Sequence, residues 1–519
     1  MNSTVAPASG NDNDKDNDTR HPNPEAATSQ KLMKTPPESH HLPDEKWTPY
    51  LFFCTTSIAL ASFQDGFQIG CINAPGPLII EWIKASHFDM FGEVLTMYKA
   101  DFIWSVAVSM FSVGGMFGSL ASGFLADHLG RKRTLFYNNM LALLAAACLC
   151  SSKFLNVYQM IVIGRFLVGL NCGITSGLVP MYLTELAPGN LRGKSGSFHQ
   201  LNISVAIVLS QALGLPFIFG STQHWPWIFA CVAIPTILQL MLIPFCPESP
   251  KYLIAKLNDR DGARRALVRL RGHDKVDQEL EHMVQEAREA MESNRKTGYV
   301  TLFKGDNRWP MIVSILMMFS QQFSSISAVT FYSTLIFKRN GLSGNDPLYA
   351  TLGFGCVKLV ATVGCLFLID HPRFGRKRLH IAGLSGMCLS SILIVVTLTL
   401  SNAGHQWASY VNILFILTFV VTFAFGPGPI PWFFTSELFD SATRGKAAAV
   451  SASSNWIANW LVGLTFLPIN NLIHQFAFLM FTFFTFVFIL FTWKFVPETK
   501  GRTPTAIRKE LTVMKKRVF

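Results

Sequence analysis

Amide side chains lie inside two of the long apolar stretches of this sequence. Gln321 and Gln322 are neighbours in one stretch, and Asn455 stands in another. In an apolar environment an unpaired amide costs several kcal/mol, yet an amide can both donate and accept hydrogen bonds. Such a group could hold a neutral solute that carries many hydroxyl groups, and hydrogen bonds between neighbouring helices are the alternative explanation.

The stretches around these amides are long enough to cross a bilayer. Half of the 519 residues are hydrophobic and 15% are charged, which is too apolar for an ordinary soluble protein. Because a bilayer core of ~30 Å needs ~20 apolar residues in a helix, we predict an all-α membrane protein with twelve spans. The predicted spans are residues 50–70, 102–123, 134–152, 157–180, 197–218, 226–246, 310–337, 349–370, 379–400, 408–433, 446–468 and 475–496.

Basic residues crowd every second connection between the predicted spans. Arg131, Lys132 and Arg133 follow the second span, and Arg376 and Lys377 follow the eighth. Since positive charge stays on the cytoplasmic side of a multi-pass membrane protein, both termini are predicted to be cytoplasmic. The formal net charge of +12 is then expected to face anionic membrane lipid, and no nucleic-acid partner is predicted.

The remaining residues indicate neither a cofactor nor enzyme chemistry. The ten cysteines lie in or beside apolar stretches without pairing or metal spacing, as expected of small buried hydrophobic residues. No glycine-rich phosphate loop, metal cluster or nucleophile–base pair stands outside the predicted spans. We therefore predict no cofactor and no enzymatic activity.

An internal repeat of about 250 residues divides the chain into two related halves. Glu185 and Arg192 recur as Glu437 and Arg444 with identical spacing, at the same place relative to their six spans. The predicted domains are a disordered cytoplasmic N-terminal tail (1–46), a six-helix bundle (47–250), a cytoplasmic helical linker (251–309), a second six-helix bundle (310–500) and a basic cytoplasmic C-terminal tail (501–519).

The repeat favours a transporter whose substrate site lies between the halves and whose access alternates by rocking. No stretch resembles the selectivity filter of a channel. Charged residues at the cytoplasmic ends of the spans could form ion pairs that hold one gate closed, whereas mere anchoring at lipid headgroups would leave the matched Glu–Arg spacing unexplained. The predicted gate residues are Asp127, Arg131, Glu185, Arg192, Glu248, Arg376, Glu437, Arg444 and Glu498.

Several motifs are similar to those of the facilitative glucose transporters of animals (the GLUT family), which belong to the sugar porters of the major facilitator superfamily. The motifs are residues 123–132, 164–166, 180–185, 247–252, 426–432 and 496–503. The resemblance covers roughly residues 50–505 and implies a twelve-helix transporter of hexoses in the cell membrane. These motifs are much more specific for the family than for the substrate, and they give no oligomeric state.

The resemblance implies that the second half of the chain holds most of the sugar. Amides and aromatic residues of the seventh, tenth and eleventh spans match the family's sugar site, and the fifth span adds a polar face. Tyr332 resembles a residue that closes over bound sugar. The substrate-binding residues implied in this way are Gln200, Gln211, Gln321, Gln322, Ser327, Tyr332, Lys358, Trp432, Asn455 and Trp456.

Three positions depart from the family's pattern. Ser327 stands where the family has an amide, Lys358 where it usually has asparagine, and Ala424 where a glutamate is expected. Losing an acid and gaining a base makes the cavity more positive. Asp65 occupies a first-span position that is apolar in the family, and we predict that it faces the cavity and pairs with Lys358, because a lone buried charge is expensive.

The run Gly426-Pro427-Gly428-Pro429 predicts a break or a bend in the tenth span. Proline removes backbone donors, and glycine lowers helix stability. Broken helices at membrane depth are tolerated where they line a cavity or flex, so the break is expected beside the substrate.

The leading hypothesis is facilitative uniport of a hexose, most readily glucose and then fructose, by alternating access. A proton-coupled sugar symporter is an alternative: Arg165 is present, and Asp65 lies about one turn from Gln68, which occupies the position of the acid in such symporters. An organic-anion carrier for a urate-like solute would use Lys358 as the counter-charge. The long N-terminal tail is the only feature that suggests a sugar sensor without transport.

Overall fold

The computed structural model describes residues 46–294, 298–339, 342–370, 374–439, 441–500, 502 and 504–516, and all regular secondary structure in these ranges is helical. Apart from Lys46, the predicted N-terminal tail lies outside them. The first half consists of helices α1 (Pro49–Gly70), α2 (Gly76–Phe91), α3 (Met97–Leu129), α4 (Arg131–Phe154), α5 (Gln159–Leu186), α6 (Arg192–Leu213), α7 (Trp225–Ala230) and α8 (Ala233–Leu242).

The linker and the second half are also helical. The linker forms α9 (Pro250–Ala255), α10 (Arg260–Arg271) and α11 (Asp277–Asn294). The second half consists of α12 (Arg308–Gln322), α13 (Ile326–Arg339), α14 (Asp346–Asp370), α15 (Arg376–Asn402), α16 (Gln406–Phe425), α17 (Ile430–Leu438), α18 (Ser441–Ile473), α19 (Ala477–Phe495) and α20 (Pro504–Lys516).

The linker helices pack against each other through apolar faces. Ala263 and Leu267 of α10 are buried together with Leu280 and Met283 of α11. Leu270, one turn further along α10, belongs instead to the core of the first half. The linker is therefore attached to the first half through the apolar side chain of Leu270.

All twelve predicted spans fall on helices. Among the described residues, nine helical stretches are long and apolar enough to cross a membrane, and one of them, Thr443–Phe495, contains both α18 and α19. Helices α1 and α6 are less apolar because their buried faces are polar: α1 buries Asp65 and Gln68, and α6 buries Ser204 and Gln211. Polar residues at membrane depth usually face the interior of a bundle, and the buried residues of these two helices agree with that rule.

Two spans of the second half are broken near their middle. The tenth is divided into α16 and α17, which confirms the break predicted at the Gly-Pro run. The seventh, predicted as one continuous stretch, is divided into α12 and α13. Ser325 at this second break has φ of 72°, and the Ser324 hydroxyl donates to the Gln321 carbonyl at 2.6 Å. Serine side chains that bond to the backbone compete with helix formation, which explains the break that apolar length alone did not predict.

Besides the linker helices, two helices lie outside the predicted spans. Helix α2 buries Ile79, Ile80 and Ile83, and α20 inserts Ile507 and Leu511 into the core of the second half. With 16 and 13 residues, both are too short to cross a bilayer. For this reason neither helix was among the spans predicted from apolar length.

Glycine residues bring α3 and α5 into direct backbone contact. A methyl group on Gly169 would overlap the carbonyl oxygen of Phe111, and one on Gly118 would overlap the carbonyl oxygen of Leu170. Because lipid provides no hydrophobic drive for association, membrane helices depend on such small residues for close packing. The first half is thus held together by contacts that leave no room for a side chain.

We expect Gly118→Ala to lower the free energy of unfolding by about 1–3 kcal/mol, the usual cost of overpacking. Gly123 lies further along the same helix with no atom within 4 Å of an added methyl group, so Gly123→Ala is the matched control and should have no such effect. Thermal unfolding of the two purified variants in detergent measures the difference. Equal melting temperatures would contradict the close contact between α3 and α5.

Candidate substrate site

Three amides meet where α12, α18 and the break in the tenth span come together. Asn455 donates from Nδ2 to Gln321 Oε1 at 2.6 Å, and Gln322 donates from Nε2 to Asn455 Oδ1 at 2.9 Å. All three side chains are buried. The structure thus brings together the amides that stand out in the sequence, and in this conformation they bond to one another.

The Gln321 side chain also closes the break in the tenth span. Its Nε2 donates to the carbonyl oxygens of Pro427 at 3.0 Å and Gly428 at 2.6 Å. In a continuous α-helix the Pro427 carbonyl would accept from the N–H four residues later. That residue is Pro431, which has no N–H. Gln321 supplies the donor that the tenth span lacks.

The amide group reaches the first half through two residues that the sequence analysis missed. Asn459 donates from Nδ2 to Ser327 Oγ at 3.1 Å and accepts from Ser112 Oγ of α3 at 2.7 Å. The Ser327 hydroxyl in turn donates to Gln322 Oε1. Asn459 follows Asn455 by one helical turn, so both lie on one side of α18. This spacing of two amides in an apolar stretch was the available signal.

The fifth span contributes an amide that has no partner. Gln211 of α6 is buried, and neither its Oε1 nor its Nε2 has a hydrogen-bond partner in the described part of the chain. Its Oε1 lies against Gly355 of α14. Gln200 lies on the same face about three turns earlier and is exposed. Since buried polar groups are nearly always hydrogen-bonded, Gln211 is suited to receive a polar ligand.

The three predicted aromatic residues have different surroundings. Trp456 packs edge to face against Phe111 of α3, with ring centres 5.4 Å apart, and its buried Nε1 has no partner among the described residues. Tyr332 is buried, and its hydroxyl donates to the Gly463 carbonyl at 2.9 Å. Trp432 of α17 is 41% exposed. Of these three residues, Trp456 is the one with a buried, unused donor.

The ion pair predicted between Asp65 and Lys358 is absent from the structure. Asp65 is buried in the first half, and its carboxyl group lies beside the polar side chains of Cys172 and Thr175 of α5. The next residue, Gly66, packs directly on the backbone of α6. The predicted pair with Lys358 is therefore not formed, because α5 and α6 surround this part of α1.

Arg165 is likewise enclosed in the first half. Its side chain is fully buried, Nη1 donates to the Gln68 carbonyl at 3.0 Å, and the guanidinium lies 4.5 Å from the centre of the Phe111 ring. No described carboxylate lies close enough to the Arg165 guanidinium group to pair with it. Asp65, Arg165 and Lys358, predicted as a coupling or charge pair, therefore form no ion pair with one another.

The charged motifs of the first half assemble at one end of the bundle. Arg131 donates from Nε and Nη2 to the two oxygens of Glu185 at 2.9 and 3.0 Å, and Asp127 lies 3.6 Å from its Nη1. Glu248 accepts from the Arg131 backbone N–H at 2.9 Å, where its carboxylate stabilises the N-terminus of α4. Burial raises the pKa of Glu248 above its ordinary value, and the backbone N–H donors act in the opposite direction.

The second half repeats this arrangement. Arg376 Nε lies 3.4 Å from Glu437 Oε1, and Glu498 accepts from the Arg376 backbone N–H at 2.7 Å at the start of α15. The repeat recognised in the sequence is therefore one three-dimensional motif used twice. We call the two groups, Arg131–Glu185–Glu248 and Arg376–Glu437–Glu498, the arginine clusters.

Besides Asp127, which lies next to Arg131, two predicted gate residues are not members of the arginine clusters. Arg444 donates from Nε to the Phe439 carbonyl at 3.2 Å. Arg192 begins α6, and its buried Nε has no partner in the described ranges. Each arginine cluster is confined to one half. In this conformation its described contacts therefore join helices within that half.

Hydrogen bonds join the halves at the end opposite the arginine clusters. Asn73, just after α1, donates from Nδ2 to Ser333 Oγ of α13 at 2.6 Å and to the Thr330 carbonyl at 2.7 Å. Asn471 of α18 donates to Asp101 Oδ2 of α3 at 2.9 Å. Neither contact was predictable from the sequence, because each depends on how the two halves meet.

Comparisons with known proteins agree with this architecture. A family model described as "Sugar (and other) transporter" matches residues 54–511. A facilitated glucose transporter homolog of Caenorhabditis elegans is 78% identical over 504 residues, which cover 97% of this chain and 98% of that protein. Facilitated glucose transporter member 3 of solute carrier family 2 from Homo sapiens is 40% identical over 460 residues, or 88% and 92% of the two chains.

The fold is also similar to a solved structure of a bacterial transporter. The xylose transporter XylE from E. coli, in a partially occluded inward open conformation, matches with a TM-score of 0.74 and 26% sequence identity, over 88% of this chain and 100% of that chain. The chain is a member of the sugar transporter family and has the twelve-helix fold of the major facilitator superfamily.

Proposed function

We propose that this protein carries a hexose, glucose above all, across the membrane by facilitated diffusion. The observation that supports this most directly is the buried set of neutral amides, with Gln321, Gln322 and Asn455 in the second half and Gln211 in the first. Amides offer donors and acceptors in many directions, which suits a ring with a hydroxyl on nearly every carbon. Relatives named as facilitated glucose transporters support the same substrate.

The surroundings of the first span support uniport over proton coupling. Gln68 stands where proton-coupled relatives would have an acid, and its backbone carbonyl accepts from Arg165. Asp65, the nearest acid in the sequence, is enclosed by its own half and has its carboxyl group beside Thr175. With Asp65 enclosed, we expect sugar movement without proton coupling, so that net uptake stops when the concentrations on the two sides are equal.

The contacts at the two ends support alternating access. We infer that the structure is open toward the arginine clusters, since Asn73 joins the halves at the opposite end and the similar bacterial structure is inward open. By the positive-inside rule this open side is the cytoplasm, and both termini belong there in the cell membrane. Opening the other side requires the Asn73 and Asp101 bonds to break, and closing the cytoplasmic side would engage Arg192 and Arg444 as gate residues.

Reconstitution in liposomes tests the proposed function. We expect labelled glucose to enter saturably until the concentrations inside and outside are equal, with the same rate in the presence and absence of a proton gradient. Protein-free liposomes are the control for leakage. Accumulation driven by the gradient would contradict uniport and assign a role to Asp65. Uptake that is blocked by urate and indifferent to sugars would contradict hexose transport.

A further inference from the structure

Lys358 is a charged residue of the second half that the proposed function leaves unused. It lies half-buried on α14, and no described carboxylate pairs with it. An unpaired ammonium at membrane depth is costly. A ligand that brings its own negative charge would remove that cost.

The contacts of α14 place Lys358 beside the fifth span. Gly355 packs against the amide of Gln211, and Thr362 Oγ1 lies 3.4 Å from Ser204 Oγ of α6. Positions 355, 358 and 362 are spaced by three and four residues, so they share one face of the helix. Lys358 therefore lies between two contacts of α14 with α6. It follows Gly355 by one turn, and Gly355 packs against the unpaired amide of Gln211.

An ammonium group next to an unused amide suits a carboxylate. The ammonium forms charge-assisted hydrogen bonds to a carboxylate, which are stronger than bonds between neutral groups, and the amide Nε2 of Gln211 can donate to the same group. The amides of α12 and α18 offer the pattern that hydroxyl groups need. The two sets of groups together match a molecule with one carboxylate and several hydroxyls.

We propose that the site also binds and carries hexuronates, sugar acids with a carboxylate in place of the terminal hydroxymethyl group. Lys358 and Gln211 take the carboxylate, and Gln321, Gln322 and Asn455 take the ring hydroxyls. This inference rests on the proposed function, because the same neutral amides hold the ring of glucose. It makes Lys358 the residue that decides between neutral and acidic sugars.

The experiment compares labelled glucose and labelled D-glucuronate in liposomes whose membrane potential is clamped at zero with potassium and valinomycin. We expect glucuronate to enter saturably and to compete with glucose, while lactate, a carboxylate without a sugar ring, does not compete. Lys358→Gln should lower the ratio of glucuronate to glucose uptake by about tenfold or more, and Lys358→Arg should keep it within about threefold, because the charge-assisted bond survives only in the second variant. Lys338→Gln, at the exposed end of α13, is the matched control and should leave the ratio unchanged.

Three results would overturn the inference: wild-type protein that carries glucose but neither carries nor is inhibited by glucuronate, equal losses of both substrates in Lys358→Gln, or competition by lactate as strong as that by glucuronate. If neither sugar enters with the wild-type protein, the proposed function itself fails. The wild-type competition assay decides the matter even if the Lys358 variants do not fold.

Discussion

Arg131→Leu should abolish sugar uptake and lower the free energy of unfolding by about 3–5 kcal/mol, the usual cost of leaving one member of a buried ion pair alone. The side chains of Arg131 and Glu185 are 9% and 11% exposed, so the leucine leaves a buried carboxylate without its partner. The substitution also removes the bond that ties the start of α4 to the end of α5. The melting temperature in detergent and the initial rate of glucose uptake measure the two effects.

Arg133 provides a matched control for this prediction. It lies on the same helix and is exposed, so Arg133→Leu should change neither the melting temperature nor the uptake rate. Combining Arg131→Leu with Glu185→Gln should recover part of the lost stability, because no unpaired charge then remains. A single Arg131→Leu variant that melts at the wild-type temperature would show that the cluster contributes little to the fold.

Gln321→Leu should damage both the fold and transport, whereas Gln211→Leu should damage transport alone. Gln321 donates to the Pro427 and Gly428 carbonyls and accepts from Asn455, so its loss leaves several buried groups unpaired, at about 1–3 kcal/mol each. Gln211 bonds to no described residue, and its replacement by leucine should leave the melting temperature unchanged or raise it. Because a bond to the sugar is lost, the KM for glucose should still rise by about tenfold.

Gln406→Leu is the control for both variants, since this exposed glutamine at the start of α16 should affect neither property. Melting temperatures and the concentration dependence of glucose uptake are measured for all three proteins. A large loss of stability in Gln211→Leu would mean that its amide has a partner within the protein. An unchanged KM in that variant would remove Gln211 from the sugar site.

Properties that depend on the local sequence were predictable. The twelve spans follow from apolar length, which sets where a helix can cross a bilayer. The break between α16 and α17 follows from proline chemistry, because Pro431 cannot donate to the Pro427 carbonyl. The charged repeats needed only a comparison of the chain with itself, and the duplicated motif around Glu185 and Glu437 is present in the structure.

Properties that depend on how helices face one another were not predictable in the same way. Asp65 and Gln68 are about one turn apart. A small rotation of α1 nevertheless decides whether the Asp65 carboxyl group faces the cavity or the other helices of the first half. The bonds of Ser112 and Asn73 to the second half join residues that are more than two hundred positions apart. The break at Ser325 depends on serine side chains that bond to the nearby backbone. The length of an apolar stretch gives no information on such bonds.

The mutual bonding of the amides has a consequence for how long a sugar stays. In the proposed sugar site, each hydroxyl that docks on Gln321, Gln322 or Asn455 would displace an existing amide–amide bond, so binding there is an exchange of one bond for another with a small net gain. Gln211 is the exception, because its bond to the sugar is new. A carrier with this arrangement binds its cargo loosely and returns to its empty, self-bonded state as soon as the sugar departs, which favours rapid cycling over tight capture.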